Sequence, residues 1–216
     1  MYLPQAFRED RLDVQHGLIR AHPLGWLVSA GPGGLMANPV PFMLYPGEGE
    51  RGTLRAHLAR ANAQLEELRQ AGECMVIFQG PHAYVSPSWY PSKQESGKVV
   101  PTWNYATVHA WGTPRVVDGE DGPAWLRRQI ADLTAMQEAP RPAPWAVEDA
   151  PEDYLAAMIR GIVGVEIPIA RIEGKWKVSQ NRPEPDRLGV VEGLRAEGPT
   201  AEPMAALVAA KGPVPG

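Results

Sequence analysis

A barrel of short antiparallel strands, closed or partly closed and carrying helical additions, is the mainly β architecture that this sequence predicts. Three observations point there. About seven short apolar or alternating runs lie between turn signals. These runs follow one another as hairpins more often than as strand-helix-strand units. Glycine (22) and proline (23) make up about a fifth of the 216 residues, a share that shortens elements and excludes a long helical bundle or coiled coil. A doubly wound parallel sheet is the weaker alternative, because the strand-turn-helix phosphate fingerprint is absent.

The elements follow in order. Residues 9–20 place Leu12, Leu18 and Ile19 near one face of a helix opened by acidic residues, the charge a helix start favours. The apolar run 24–29 is bounded by His22-Pro23 and by Gly31-Pro32-Gly33-Gly34, so it reads as a strand with residues 35–45 as its hairpin partner. Pro39 and Pro41 put that partner at an edge or a bulge, since each removes a ladder donor. A strand at 52–58 leads into a helix at 59–71, where Leu65 and Leu68 share a face and Gly72 is the stop. Strands at 73–79 and 82–86 flank the turn Gly80-Pro81. The polar stretch 91–100 offers little to bury and reads as a mobile loop, and 103–117 resumes strand-like content. Trp125, Ile130, Leu133 and Met136 make 123–137 a helix with Pro123 at its start. A Pro-rich link leads to a capped helix from Asp149 to about Met158, and 162–179 alternates as a final strand or hairpin. Residues 1–196 are expected to form a single domain, and 197–216, rich in Gly, Pro and Ala, a frayed and flexible tail.

Composition narrows the function. With 25 acidic and 21 basic residues the formal net charge is −4, which excludes nonspecific nucleic-acid binding by charge. The single cysteine, Cys74, excludes an intrachain disulfide framework and a cysteine zinc site, and it reads as a small core residue. No signal peptide and no run of roughly 18 apolar residues is present, so a soluble cytoplasmic protein without membrane contact is expected. The remaining histidines, His16, His22, His82 and His109, show no metal spacing.

Three constellations remain. His57, Arg60 and Asn62 lie where a strand passes into a helix, and exposed amides with an arginine at such a junction suit a phosphate; the same residues also read as a helix cap and a solvated charge. Trp89, Tyr90, Trp103 and Tyr105, with Lys93, Thr102 and Asn104, flank one polar loop and could hold a planar aromatic ligand. They equally suit a core corner packed with indoles, whereas a nucleic-acid stacking platform sits poorly with the acidic net charge. In Lys175-Trp-Lys-Val-Ser-Gln180-Asn-Arg182, alternation puts Lys175, Lys177 and Ser179 on one strand face and Trp176 and Val178 on the other. An edge strand protected by lysines has the same pattern.

The blocks MYLPQAF at the start, HLARAN at 57–62, IFQGPHAYVSPSWY at 77–90, VPTWNYATVHAWG at 100–112 and KWKVSQNR at 175–182 resemble the PaiB family of FMN-binding negative transcriptional regulators. The resemblance runs in order from Met1 to about Leu194. It implies the split β-barrel fold of flavoproteins related to pyridoxamine-phosphate oxidases, FMN as cofactor, and a homodimer with flavin at the subunit interface. It implies further that Arg60 holds the FMN phosphate with His57 and Asn62 beside it. Lys93, Thr102, Trp103 and Asn104 would lie near the phosphate or the isoalloxazine, and Lys175, Gln180 and Arg182 would arrive from the neighbouring subunit. The regulator label argues for a flavin-dependent sensor. A flavin-dependent oxidoreductase on a small substrate and a haem-binding split barrel are the alternatives. Direct DNA recognition is not expected, because there is no helix-turn-helix and the only basic cluster is the short one at 175–182.

Overall fold

The computed structural model describes residues 1–210. In chain order these form β1 (Arg8–Glu9), α1 (Leu12–Ala21), β2 (Leu24–Gly31), β3 (Gly34–Pro41), β4 (Met43–Tyr45), β5 (Thr53–Ala59) and α2 (Gln64–Gln70). There follow β6 (Cys74–Val85), α3 (Ser92–Ser96), β7 (Thr102–Gly112), β8 (Arg115–Val117), α4 (Gly122–Glu138) and α5 (Glu152–Arg160). The chain ends in β9 (Ile162–Pro168), β10 (Arg171–Lys177), α6 (Glu184–Ala196) and α7 (Glu202–Ala210). Packing divides the chain into two compact units. One comprises Met1–Leu18, Gln79–Val108 and the described residues from Glu173 to Ala210; the other comprises Ile19–Phe78 and His109–Ile172.

In the second unit β2 and β3 form the hairpin that the Gly-Pro-Gly-Gly signal predicts, in register from Leu24 opposite Pro41 to Gly31 opposite Gly34. Two residues are left to turn, and Gly34 holds φ 105°, a left-handed value that a side chain would strain. β3 is the outermost strand, so Pro39 and Pro41 forfeit no ladder bond on the open side. A second antiparallel sheet has the order β4-β5-β9-β8. Leu54, Ala56 and Leu58 on β5 face Ile167, Val165 and Val163 on β9, and all six are buried. The alternate residues of β5, Arg55 and His57, therefore point to the other face, which α4 covers. Leu126 of α4 packs with Val147, Leu155 and Ile159 in a small helical core.

The register also sets Arg55 opposite Glu166. Their side chains meet at 2.8 Å, and Glu166 accepts a second guanidinium, from Arg115, at 2.7 Å. Burial alone would raise the Glu166 pKa, but the hydrogen bonds from Arg115 and Arg55 outweigh it and hold the carboxyl below its usual range. A depressed folded pKa gives stability that is present above the unfolded value and lost as pH falls through the folded one. Urea midpoints measured from pH 7 to pH 3 are expected to drop below about pH 4.3, and Glu166→Gln to flatten part of that drop. A variant with the wild-type pH profile would refute this source of acid sensitivity.

In the first unit β1 pairs with β10, Arg8 opposite Lys175, and β10 lies between β1 and β7, with β6 next to β7. β10 is thus an inner strand, and the edge-strand alternative for its lysines does not apply. β6 continues through Gly80 and Pro81, where a turn was expected. On the β2 side its ladder is confined to Met75–Ile77, so the donor missing from Pro81 costs that ladder nothing. The expected loop after Pro91 contains the short helix α3, tied to α6 by Ser92, whose backbone N–H and hydroxyl both donate to the buried Asp186 carboxylate at 3.1 and 2.8 Å. The small apolar residues of the expected tail bury Met204, Ala205 and Val208 in α7, which packs against α6. Residues 211–216 of that tail lie outside the described residues.

Candidate functional site

The ten candidate side chains fall into two sets, three in the second unit and seven in the first.

In the second unit, Arg60 stands one residue past β5. Its Nε donates to the carbonyl of Arg160 at 2.9 Å and one Nη to that of Ile162 at 3.1 Å, while its backbone N–H donates to Gly161 at 2.8 Å. These acceptors are neutral, so the guanidinium keeps its full charge and has donors to spare. Asn62 Oδ1 accepts from the backbone N–H of Gln64 at 2.9 Å, which places the carboxamide on the start of α2. His57 Nδ1 lies 2.8 Å from Gln129 Oε1 on α4, and the buried Gln129 Nε2 has no partner among the described residues. Beside Arg60 opens a cavity of about 630 Å³, walled by Leu126, Ile159 and Ile162 and bearing two further arginines, Arg127 and Arg160. Helix-surface arginines carry no sequence signal of a site, and neither was singled out.

Sequence reading also missed the polar knot beneath α2. Gln64 is fully buried; its Nε2 donates to the Leu27 carbonyl at 2.9 Å and to Ser29 Oγ at 3.1 Å, and its Oε1 accepts from Asn38 at 2.9 Å. Tyr45 donates to Asp132 at 2.6 Å, and burial followed by that carboxylate pushes its hydroxyl up to about 12. Burial likewise raises the Cys74 thiol to about 12, so it is not a thiolate nucleophile near neutrality.

In the first unit, Trp103 is half exposed on β7, stacked on His82 at 6.0 Å and met edge-on by Tyr84 at 6.1 Å. Tyr105 and Gln79 border the same hollow. Lys177 donates to Thr102 Oγ1 and, at 2.8 Å, to the Trp103 carbonyl, and burial lowers its pKa, helped by Lys175 and Arg182. The buried Asn104 donates to Ser179 Oγ at 2.8 Å and leaves Oδ1 without a partner among the described residues. Ser179 itself takes a left-handed φ of 62°. Lys175 donates to the Tyr2 carbonyl at 3.0 Å and lies over the rings of Tyr2 and Tyr105. Gln180 folds back on its own strand, accepting from the Val178 N–H at 2.7 Å and donating to the Trp176 carbonyl. Arg182 sits 4.8 Å over the buried Tyr90 ring, and Lys93 is exposed on α3. The aromatics therefore divide: Tyr90 belongs to the interior and Trp103 to an accessible shelf.

Each set by itself suits part of a flavin nucleotide. In the second unit the arginines answer a phosphate dianion; in the first the shelf answers a flat ring, and Asn104 Oδ1 is a buried acceptor without a donor among the described residues. No group of three or more potential metal ligands occurs among the described residues, and no helix among them is long and apolar enough to cross a membrane.

Solved structures share the split β-barrel fold. A conserved hypothetical protein, Rv2991, from Mycobacterium tuberculosis superposes with a TM-score of 0.58 at 12% identity, covering 85% of this chain and 95% of that one. The flavocytochrome Anf3 from Azotobacter vinelandii gives 0.53 at 15% identity, covering 79% and 69%. The chain belongs to the family described as "Putative FMN-binding domain", whose model matches residues 1–171, and FMN is the cofactor that this membership assigns. It is 35% identical to the uncharacterized protein AFUA_5G13800 of Aspergillus fumigatus over 92% of both chains. It is 30% identical to the protease synthase and sporulation protein PAI 2 of Bacillus subtilis over 96% of both.

Proposed function

We propose that the protein is a homodimeric, FMN-dependent sensor that acts as a negative regulator of transcription without itself reading DNA, and that Arg60 anchors the flavin phosphate. The observation that carries this reading is the state of Arg60: a guanidinium fixed by two backbone carbonyls, with its charge unspent, at the mouth of a cavity. Its position is set before any ligand arrives, so binding a phosphate costs little side-chain ordering. His57 is held by Gln129 and Asn62 by the start of α2. Lys93, Thr102, Trp103 and Asn104 would lie near the phosphate or the isoalloxazine, Trp103 offering the ring a face and Lys177 fixing the backbone beneath it, and Lys175, Gln180 and Arg182 would serve the flavin of the neighbouring subunit. When bound, FMN supplies a redox-active ring; the chain's own part is to position it and exclude water. The regulatory reading rests on the family resemblance, the name of the Bacillus relative tying that protein to protease synthesis and sporulation, and the acidic net charge favours action through a protein contact or a small signal over operator recognition.

Calorimetric titration with FMN tests the anchor. Arg60→Ala is expected to weaken binding by about 2 kcal/mol, the scale of a lost charge-assisted pair, while sedimentation shows a dimer. Wild-type affinity in the variant, or a monomer that binds FMN at full strength, would sink the reading.

A further inference from the structure

We infer that the cavity beside Arg60 takes a second, small amphipathic ligand with an oxyanion head, bound at Arg160 and distinct from the flavin phosphate. Charge accounting carries this. Four charged side chains line the cavity: Arg60, Asp118, Arg127 and Arg160. Asp118 is neutralised from outside the cavity by Arg69 at 2.6 Å. Arg127 is neutralised by Glu152. Arg60 and Arg160 remain, and Arg160 has no acidic partner among the described residues. The first turn of α4 lies along the same wall, but Asp121 at its N-cap offsets the positive end of the helix, so the field in the cavity comes from the arginines.

The rest of the lining is apolar, chiefly Leu126, Ile159 and Ile162. A volume of about 630 Å³ lies within the range of whole-ligand pockets and exceeds what one phosphate group fills. With Arg60 given to the flavin phosphate, one uncompensated guanidinium, Arg160, over an apolar floor selects a molecule that is anionic at one end and hydrocarbon at the other. It rejects the cationic counterpart, which would meet like charge. A signal molecule or a small acidic substrate of the flavin has this chemistry, and either would give the sensor or its oxidoreductase alternative something to sense. The inference leaves Arg60 to the flavin phosphate.

Calorimetry on the full chain, FMN-loaded and FMN-free, with octanoate, octyl phosphate and octylamine as probes tests it. Octanoate or octyl phosphate is expected to bind both forms, the stronger of the two identifying the head group, and octylamine is expected not to bind. Arg160→Ala should weaken the anionic probe about tenfold or more and leave FMN affinity unchanged, since the backbone carbonyl that holds Arg60 is retained; Ala156→Phe, which fills the apolar lining, should do the same. Arg128→Ala, exposed on α4 but outside the cavity, should leave both unchanged. Equal binding of octylamine, or an Arg160→Ala variant that binds the anionic probe like wild type, would overturn the inference. So would an Arg160→Ala variant that loses FMN as well, since the cavity would then belong wholly to the flavin. Failure of the anchor reading looks different: Arg60→Ala would keep FMN while the Arg160 results stand.

Discussion

Arg55→Ala is expected to destabilise the protein by about 3 kcal/mol, the scale on which breaking a largely buried ion pair is felt. The side chain is 15% exposed and reaches Glu166 and Glu48, each at 2.8 Å. Its guanidinium carbon also lies 4.3 Å over the Tyr45 ring and 5.7 Å from that of Trp125. Truncation leaves Glu166, 12% exposed, with one guanidinium instead of two, and the survivor, Arg115, is 58% exposed and screened by water. It also removes the aliphatic stem packed between β5 and α4. Arg115→Ala removes the other partner of the same carboxylate from a solvated position and is expected to cost under about 1 kcal/mol. Arg55→Lys keeps the charge but loses the fork that serves two carboxylates, so an intermediate loss is expected. Urea denaturation of the three variants supplies the comparison. Equal losses for Arg55→Ala and Arg115→Ala would show that burial does not set the strength of this network.

Gly193→Ala on α6 is expected to cost about 2–3 kcal/mol, although helix propensity alone predicts a gain of about 1 kcal/mol. A Cβ at Gly193 would stand 2.2 Å from the Trp89 ring, and one at Gly189, a turn earlier, 2.0 Å from the Trp89 carbonyl oxygen. Neither neighbour yields easily. The oxygen is backbone, and the short 3-10 turn that presents it is held by Ser86 Oγ, which accepts from the Ser88 N–H at 3.2 Å. Contact therefore outweighs propensity. Trp89→Leu should relieve part of the loss in a Gly193→Ala background, so that the double variant is less destabilised than the sum of its parts. Additive losses in thermal or urea unfolding would show that the two residues do not compete for one space.

The strands were legible because their signals are local. Alternation along Leu54, Ala56 and Leu58, the turn Pro32-Gly33 and the prolines of β3 each act within a few residues, and each of those elements forms where its pattern lies. Helix α7 was misread for the converse reason. Its alanines and valine carry no amphipathic pattern, and their helix depends on the surface of α6. At Gly80 and Pro81 turn chemistry was a false stop, since a proline interrupts a strand only where a neighbour needs its N–H.

By itself the sequence determined the β-rich fold, the family and its flavin, and the residue types that suit a phosphate and a ring, because these rest on short-range pattern and on contiguous motifs. Tertiary structure decided which aromatic is accessible and which is interior, separating Trp103 from Tyr90. It also made β10 an inner strand and seated Trp89 on the glycines of α6. It alone assembled the arginine cavity, where Arg60, Arg127 and Arg160 come from segments up to a hundred residues apart. Spacing along the chain carries no trace of such a cluster, since its charges converge only once β5, α4 and α5 have packed, and whether each guanidinium is neutralised depends on Glu152 and on Arg69 with Asp118, which the fold brings to them.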